Sequence, residues 1–223
     1  MKLAIITPVG PGHDMLAREA LGSIAQAAKH SQGPFDDIKF IRMEDPEGEF
    51  GRSLTRNMGV LEAEEAGCEW VFFLDADDLM TDHAFVAMED YMNYDAVWGQ
   101  IYDVKPGENF ARRRMEQVPV DSVKDLLNHD PYLTLQMGHF VRTEIALNNP
   151  FNVEMDAGED FEYYLRLWEN YSCIKSDKIF FINRRGLNSQ GPRSANGAVW
   201  RKSVKKVIQQ HKNLILPDKD IIH

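Results

Sequence analysis

The sequence predicts an α/β fold in which helices flank a mostly parallel central sheet. Over the first eighty residues, apolar runs of strand-forming residues alternate with amphipathic helical patterns, which is typical of a doubly wound sheet. The strand runs are continuously apolar, as expected for strands buried on both faces. The length of 223 residues allows a single domain with a sizeable core.

The first eighty residues divide into five predicted elements. The strands are Leu3 to Thr7, Ile38 to Met43 and Trp70 to Leu74. The helices are Leu16 to Lys29 and Arg52 to Ala66, and Gly67 follows where a helix end is expected. The carboxyl ends of parallel strands form one edge of such a sheet, where ligands bind. We therefore expect the residues after each strand to lie in one cleft.

The element order changes after residue 80, and here we expect a small antiparallel portion. A helix is opened by Gly158-Glu159-Asp160, and a basic helix lies near Val199 to His211. The intervening predictions are a helix at Asp82 to Tyr91, a strand at Ala96 to Val104, loop or edge structure at Arg112 to Val120, a helix at Asp121 to Asn128, a mixed apolar segment at Tyr132 to Val141 and a last strand at Ile179 to Ile182.

Composition limits the functional class. The hydrophobic fraction of 43% and charged fraction of 27% are ordinary for a globular protein. The net charge of -10 argues against a general nucleic-acid binder, although it leaves room for a local basic groove. No apolar run reaches membrane-spanning length. Cys68 and Cys173 have neither metal-site spacing nor the density of a disulfide scaffold, so we expect a cytoplasmic protein with reduced thiols.

The segment WVFFLDADDLM places Asp75, Asp77 and Asp78 directly after the third predicted strand. Carboxylates this close repel one another unless a positive charge lies among them. A hard divalent cation with oxygen ligands, Mg²⁺ or Mn²⁺, meets that need and is usually shared with substrate phosphates. The alternative is a solvated acidic turn in which Asp78 caps the next helix. Pro8 and the Glu44-Asp45 pair follow the first two strands, so we expect them at the same edge.

Four segments in order resemble the nucleotide-sugar-dependent inverting glycosyltransferases of family 2, which have the GT-A fold. FFLDADD resembles their DxD segment, and GRSLTRNMGV resembles their Ala-Arg-Asn-x-Gly segment. TPVGPGHDMLAREALGSI resembles their first strand and helix, and PFNVEMDAGEDFEYYLRLWE resembles their Glu-Asp segment. Together these segments cover most of residues 3 to 190. The resemblance implies a GT-A fold with a Rossmann-like sheet.

The resemblance also implies roles for particular residues. It assigns Asp75 to the nucleoside, Asp77 to the metal ion, and Asp160 to the general base that takes the acceptor proton. Asn188 lies where a histidine often completes the metal site. The donor-binding residues that we expect are Pro8, Glu44, Asp45, Arg56, Asn57, Asp75, Asp77, Arg185 and Arg193.

The sequence departs from the family pattern in two places. MEDPEGEFG stands where an Asp-Asp-Gly-Ser segment usually follows the second strand, so recognition of the donor base differs. The loop RRGLNSQGPRS contains no histidine, and Asn188 or Gln190 takes that region. Both are poorer metal ligands than imidazole, so we expect phosphates and water to complete the site with Asp77.

These observations predict one GT-A domain over residues 1–223. Residues 1–100 form the nucleotide-sugar-binding half, 101–200 the acceptor-side half, and 201–223 a basic helix and tail. The predicted activity is metal-dependent transfer from a nucleotide sugar, with UDP-sugars favoured, to a saccharide or other hydroxyl acceptor. The alternatives are a nucleotidyltransferase acting on a sugar phosphate, a non-catalytic nucleotide-sugar-binding module, and an enzyme that glycosylates modified DNA bases, for which nucleic acid would be the partner.

Overall fold

The computed structural model describes residues 1–105, 107–184 and 197–215. Its α-helices are α1 (Asp14–His30), α2 (Gly51–Glu65), α3 (Val123–Asn128), α4 (Pro131–Thr134), α5 (Thr143–Asn148), α6 (Glu159–Asn170) and α7 (Gly197–Ile215). Its strands are β1 (Lys2–Val9), β2 (Asp37–Glu44), β3 (Trp70–Phe73), β4 (Leu79–Met80), β5 (Ala96–Trp98), β6 (Tyr102–Val104), β7 (Arg112–Arg113), β8 (His139–Arg142), β9 (Cys173–Lys175) and β10 (Phe181–Arg184).

The first half has the predicted alternation of strands and helices. β1 lies between β2 and β3 and is parallel to both, with Ile5 opposite Phe40 on one side and Phe72 on the other. β1 and β3 are apolar and buried almost throughout, which suits strands covered by helices on both faces. Their carboxyl ends, and that of β2, therefore lie at one edge of the sheet.

The central sheet has six strands in the order β2-β1-β3-β8-β5-β9. β8 pairs antiparallel with β3 and with β5, while β9 pairs parallel with β5. The prediction of a mostly parallel central sheet is confirmed. The core covers both faces, because alternate side chains of each strand point in opposite directions. Ile5, Phe72 and Phe140 pack towards α1, whereas Ile6 and Phe73 pack on the face of α2 and α6.

A second sheet has four strands in the order β4-β10-β6-β7. β10 is antiparallel to β4 and parallel to β6, and β6 is antiparallel to β7. This is the small, largely antiparallel portion expected from the sequence. β4 follows the acidic segment directly, and β10 ends at Arg184. The second sheet thus borders the edge to which the strands of the first sheet point.

The prediction of one strand over Ala96 to Val104 was wrong. The chain forms β5 and then β6, and these belong to different sheets. Gly99 lies at the break, where an added Cβ would be 2.8 Å from the Lys178 carbonyl oxygen. The Gln100 N–H donates to that same oxygen at 2.7 Å. This close backbone approach requires glycine and ends pairing with the first sheet.

Three further predictions differ from the structure. The helix expected at Asp82 to Tyr91 is a turn followed by a 3₁₀ helix over Val86–Tyr91. The mixed segment at Tyr132 to Val141 resolves into α4 and β8. The helix expected from Asp121 begins after Ser122, whose hydroxyl and Asp125 form a capping box. None of the helices in the described ranges is both long enough and apolar enough to cross a membrane.

Candidate functional site

The acidic triplet, defined as Asp75, Asp77 and Asp78, lies at the predicted edge of the sheet. The three side chains each present a carboxylate oxygen, and these oxygens lie within 4.8 Å of one another. The Asp78 N–H donates to the Asp75 carbonyl oxygen at 3.0 Å and closes the turn that gathers them. This turn follows a buried strand, so the three carboxylates are partly shielded from solvent.

The three carboxylates have different partners. Asp75 Oδ1 accepts from Arg56 Nη2 at 2.6 Å. Asp78 is buried, and its Oδ1 accepts from Asn183 Nδ2 and from the Arg184 N–H, both at 3.1 Å. No side chain in the described ranges donates to the Asp77 carboxylate. Among the described residues, Asp77 is therefore the member of the acidic triplet whose two carboxylate oxygens both lack a side-chain donor.

The electrostatics of the acidic triplet favour an added cation. Burial and the neighbouring Asp75 carboxylate raise the pKa of Asp77 to about 7. Burial and the other two carboxylates raise the pKa of Asp78 well above its usual value. Closely spaced oxygen donors of this kind suit a hard divalent ion, which stabilises the ionised carboxylates. The residues present thus fit a divalent ion such as Mn²⁺ or Mg²⁺, and Asp77 as its ligand stays a prediction.

Arg56 connects the acidic triplet to the start of α6. Its side chain is only 3% exposed, and its Nη1 lies 3.5 Å from Glu159 Oε1 while its Nη2 contacts Asp75. Arg52, one helical turn earlier on α2, places its Nε 2.5 Å from the same Glu159 oxygen. The Glu159 side chain is 2% exposed. The four residues form a continuous line of alternating charge, Asp75–Arg56–Glu159–Arg52.

Asp160, the predicted general base, follows Glu159 in the first turn of α6. Its Oδ1 accepts from the Phe161 N–H at 2.8 Å and from Trp200 Nε1 of α7 at 3.4 Å. Burial and the Glu159 carboxylate raise the pKa of Asp160 to about 6, against the lowering effect of Arg52 and other neighbours. A half-buried carboxylate with a pKa near neutrality can accept a proton efficiently.

The residues expected around the donor base lie at the ends of β1 and β2. Pro8 is half-buried near the end of β1. Glu44 is exposed at the end of β2, where its Oε1 lies 2.9 Å from Arg42 Nε. Asp45 is buried, and its carboxylate accepts backbone N–H groups of the turn that leads into α2, from Glu49, Phe50 and Gly51. The carboxylate of Asp45 thus caps this turn. Contact of Pro8, Glu44 or Asp45 with the nucleotide-sugar donor remains a prediction.

Asn57, a predicted donor-binding residue on α2, contacts the backbone of Phe151. Its Nδ2 donates to the Phe151 carbonyl oxygen at 2.9 Å, and its Oδ1 accepts from the Phe151 N–H at 2.8 Å. This reciprocal pair fixes the loop before α6 to α2. The Arg56 guanidinium also lies 5.4 Å from the centre of the Phe151 ring. Donor binding by Asn57 stays a prediction beside this structural contact.

Three predicted site residues, Arg185, Arg193 and Asn188, lie outside the described residues, as does Gln190. Three other residues at the site were missed by the sequence reasoning: Arg52, Arg184 and Trp200. Arg184 ends β10, and its Nε donates to the Asp77 carbonyl oxygen. The signal that could have indicated Arg184 is its place two residues after the last predicted strand. Nothing in the sequence pattern indicated the contacts of Arg52 or Trp200 with residues more than one element away.

The protein family described as "Glycosyl transferase family 2" matches residues 20–153, which is more than half of the chain. The chain belongs to glycosyl transferase family 2. The matched region contains Arg56 and the acidic triplet and ends within the loop that leads to Asp160. The family resemblance inferred from the four segments is confirmed, and the domain is a glycosyltransferase.

Solved structures of TarS from S. aureus have the same fold. TarS 1-349 in complex with UDP-GlcNAc is 17% identical, with a TM-score of 0.68 over 98% of this chain and 68% of that chain. TarS 1-349 in complex with UDP gives a TM-score of 0.60 at 17% identity, over 98% of this chain and 73% of that one. The predicted GT-A fold is thus confirmed.

A longer TarS structure is 18% identical, with a TM-score of 0.59 over 82% of this chain. The present chain spans only 37% of the length of that TarS structure. No curated protein sequence matches the chain.

Proposed function

We propose that this glycosyltransferase is metal-dependent and inverting, and that it moves a sugar from a nucleoside diphosphate sugar to a hydroxyl group of a saccharide acceptor. The observation that carries the proposal is the position of Arg56, which joins the acidic triplet to the Glu159-Asp160 pair. A site for a nucleoside diphosphate and a candidate base thus lie at the two ends of one ion-pair line. UDP is the favoured nucleotide, supported by the fold shared with TarS, which was solved with UDP and with UDP-GlcNAc.

In the proposed reaction, Asp160 takes the proton of the acceptor hydroxyl as the oxygen attacks the anomeric carbon. The bond from that carbon to the diphosphate oxygen breaks, and the nucleoside diphosphate leaves with the electron pair. A single displacement of this kind inverts the configuration of the anomeric carbon. The elevated pKa of Asp160 makes it a better base than an exposed aspartate while it stays largely ionised above neutral pH.

The leaving diphosphate needs positive charge near the acidic triplet. A divalent ion held by Asp77, when bound, neutralises charge that develops on the phosphate oxygens. The Arg184 guanidinium donates to the Asp77 carbonyl oxygen and is paired with Glu19, so its charge is already partly balanced within the protein. Arg56 is held by Asp75 and Glu159, so it contributes orientation of Asp75 rather than a free guanidinium. Contact of Arg185 or Arg193 with the diphosphate remains a proposal from the sequence.

The test is a product assay with purified protein, Mn²⁺ and a panel of UDP-, GDP- and dTDP-sugars. Release of nucleoside diphosphate, by transfer to a saccharide or by slow hydrolysis to water, is the expected result. Proton NMR of the transferred sugar then reports the anomeric configuration, which is expected to be opposite to that of the donor. Release of pyrophosphate from a nucleoside triphosphate and a sugar phosphate would instead support a nucleotidyltransferase. Donor binding with no turnover would support a binding module.

A further inference from the structure

Glu159 is a buried acid with no direct part in the reaction proposed above. Its carboxylate is 2% exposed, yet it stays close to two arginines of another helix. Its Oε1 lies 2.5 Å from Arg52 Nε and 3.5 Å from Arg56 Nη1, and its Oε2 accepts from Arg52 Nη2 at 3.1 Å. A buried charge is costly unless it is paired, and losing one partner leaves the other uncompensated. This arrangement therefore holds α6 and α2 in a fixed relation.

The loop that leads into α6 is held by α2 at two further points. Asn57 forms its reciprocal pair of hydrogen bonds with Phe151, and Arg52 Nη2 donates to the Asp156 carbonyl oxygen at 3.4 Å. Gly158, with φ of 81°, makes the turn directly before Glu159. The backbone of Asp160 is thus positioned by contacts of α2 with the preceding loop and with Glu159.

We propose that Glu159 is a positioning residue, which holds Asp160 through Arg52 and Arg56 and couples its placement to Asp75 on the donor side. The proposal rests on the function proposed above, in which Asp160 takes the acceptor proton. Glu159 does not touch the reacting atoms in this scheme. Its role is to keep the base at a fixed distance from the acidic triplet and to set the charge around it.

In the described part of the chain, the charged and titratable groups that act on Asp160 lie on two helices. On α6 they are Glu159 and Tyr164, and on α2 they are Arg52 and Arg56. From α7, Asp160 accepts the Trp200 indole N–H, which carries no charge. Glu159 raises the pKa of Asp160, whereas Arg52 and Arg56 lower it. Replacing Glu159 by glutamine should lower the pKa of Asp160, and replacing Arg52 by glutamine should raise it.

The decisive experiment measures the pKa of Asp160 directly by ¹³C NMR of its carboxyl carbon, in the full chain. Glu159→Gln is expected to shift that pKa down, and Arg52→Gln is expected to shift it up. Opposite shifts from two partners of one ion pair are not expected from a loss of stability alone. The matched controls lie one turn along α6, where Arg166 and Glu162 form an ion pair at 2.7 Å. Glu162→Gln and Arg166→Gln should leave the pKa unchanged.

Kinetics on the same proteins test positioning. Glu159→Gln is expected to lower kcat by about 10–100-fold, the size of loss caused by a misplacement of about 1 Å. The dissociation constant for UDP in the presence of Mn²⁺ should stay within about twofold of the wild-type value. Glu159→Asp keeps the charge with a shorter reach and should recover part of the lost rate. Equal losses of kcat in the Glu162→Gln control, or an unshifted Asp160 pKa in both Glu159→Gln and Arg52→Gln, would overturn the proposal.

The design separates this inference from the proposed function. If the wild-type protein turns over no nucleotide sugar, the function fails, while the NMR shifts still decide whether Glu159 controls Asp160. If Glu159→Gln does not fold, Arg52→Gln and Arg52→Lys replace it, because Arg52 is the more exposed partner, with 34% of its side chain accessible. Arg52→Lys keeps the positive charge and should leave the pKa of Asp160 nearer to the wild-type value than Arg52→Gln does.

Discussion

The acidic triplet at the end of β3 and the Glu159-Asp160 pair at the start of α6 handle crowded carboxylates in different ways. The pair has two arginines from α2 beside it, and Glu159 is in contact with both. The acidic triplet has one arginine on Asp75, while the Arg184 guanidinium reaches the Asp77 backbone. Among the described residues, arginines balance the charge around the pair, whereas the acidic triplet keeps negative charge that we expect a bound cation to balance.

The difference has a functional meaning. A general base should occupy one position with or without ligand, and fixed arginines provide that constancy. A donor-binding site can use uncompensated negative charge that is neutralised only when metal and nucleotide bind together. The metal then binds with the substrate rather than before it. The two regions meet at Arg56, which contacts a carboxylate of each. Breaking one region should therefore produce effects that differ in kind from breaking the other.

The largest expected effect is the loss of activity in Asp77→Ala. This change removes the available carboxylate of the acidic triplet and should abolish measurable turnover, since loss of the several kcal/mol that metal provides corresponds to at least about 10³-fold in rate. Donor binding with Mn²⁺ should weaken as well. Asp82→Ala, which removes an exposed carboxylate bonded to Gln26, serves as the control. A wild-type rate that survives EDTA would contradict the metal role.

The next effect belongs to the other region. Asp160→Asn keeps the shape of the side chain but cannot accept the proton as a carboxylate does, so kcat should fall by about 10²–10⁴-fold. The dissociation constant for the donor should be nearly unchanged, because the acidic triplet is intact. The melting temperature should change little, since asparagine is also tolerated at a helix start. Retained turnover would move the search for the base to Glu159 or Asp156, and joint loss of folding and binding would make Asp160 structural.

The contrast between the regions also shows what the sequence could reveal. The acidic triplet was predictable because local signals, an apolar strand and the carboxylates that follow it, place it at the sheet edge. The pairing of Glu159 with Arg52 joins residues 107 positions apart, and no periodicity reports such a contact. The prediction of one strand over Ala96 to Val104 was wrong for the same reason, because the backbone that ends β5 at Gly99 belongs to the distant residue Lys178. The alternating strand and helix patterns of the first eighty residues were read correctly, whereas contacts between distant segments were not.

A smaller effect concerns metal affinity. Asp75 and Asp78 already accept hydrogen bonds from Arg56, Asn183 and Arg184, so calorimetry should show weak Mn²⁺ binding until UDP is added. Because the pKa of Asp77 is raised to about 7, protons compete with the metal, and the affinity with UDP present should rise by about tenfold between pH 6 and pH 8. Tight binding to the free protein, or affinity that does not depend on pH, would show that another ligand holds the ion.

The smallest expected effect is on stability, and it tests the uncompensated negative charge of the acidic triplet without any ligand. The folded-state pKa of Asp77 is about 7, above its ordinary value of 3.8, so the folded protein binds more protons than the unfolded chain between these values. The stability of the metal-free protein should therefore fall as the pH rises from about 4 to above 7. Asp77→Asn removes this loss, so its melting temperature should exceed that of the wild type by about 2–4 °C at pH 8 and match it near pH 4. That size corresponds to about 1 kcal/mol, because partial exposure to solvent screens the repulsion.

Adding Mn²⁺ and UDP should reverse the order, since only the wild-type protein gains the full binding energy. Asp82→Asn should follow the wild-type curve at every pH. If Asp77→Asn also follows the wild-type curve, the acidic triplet carries no uncompensated negative charge, and the two regions do not differ in the way described.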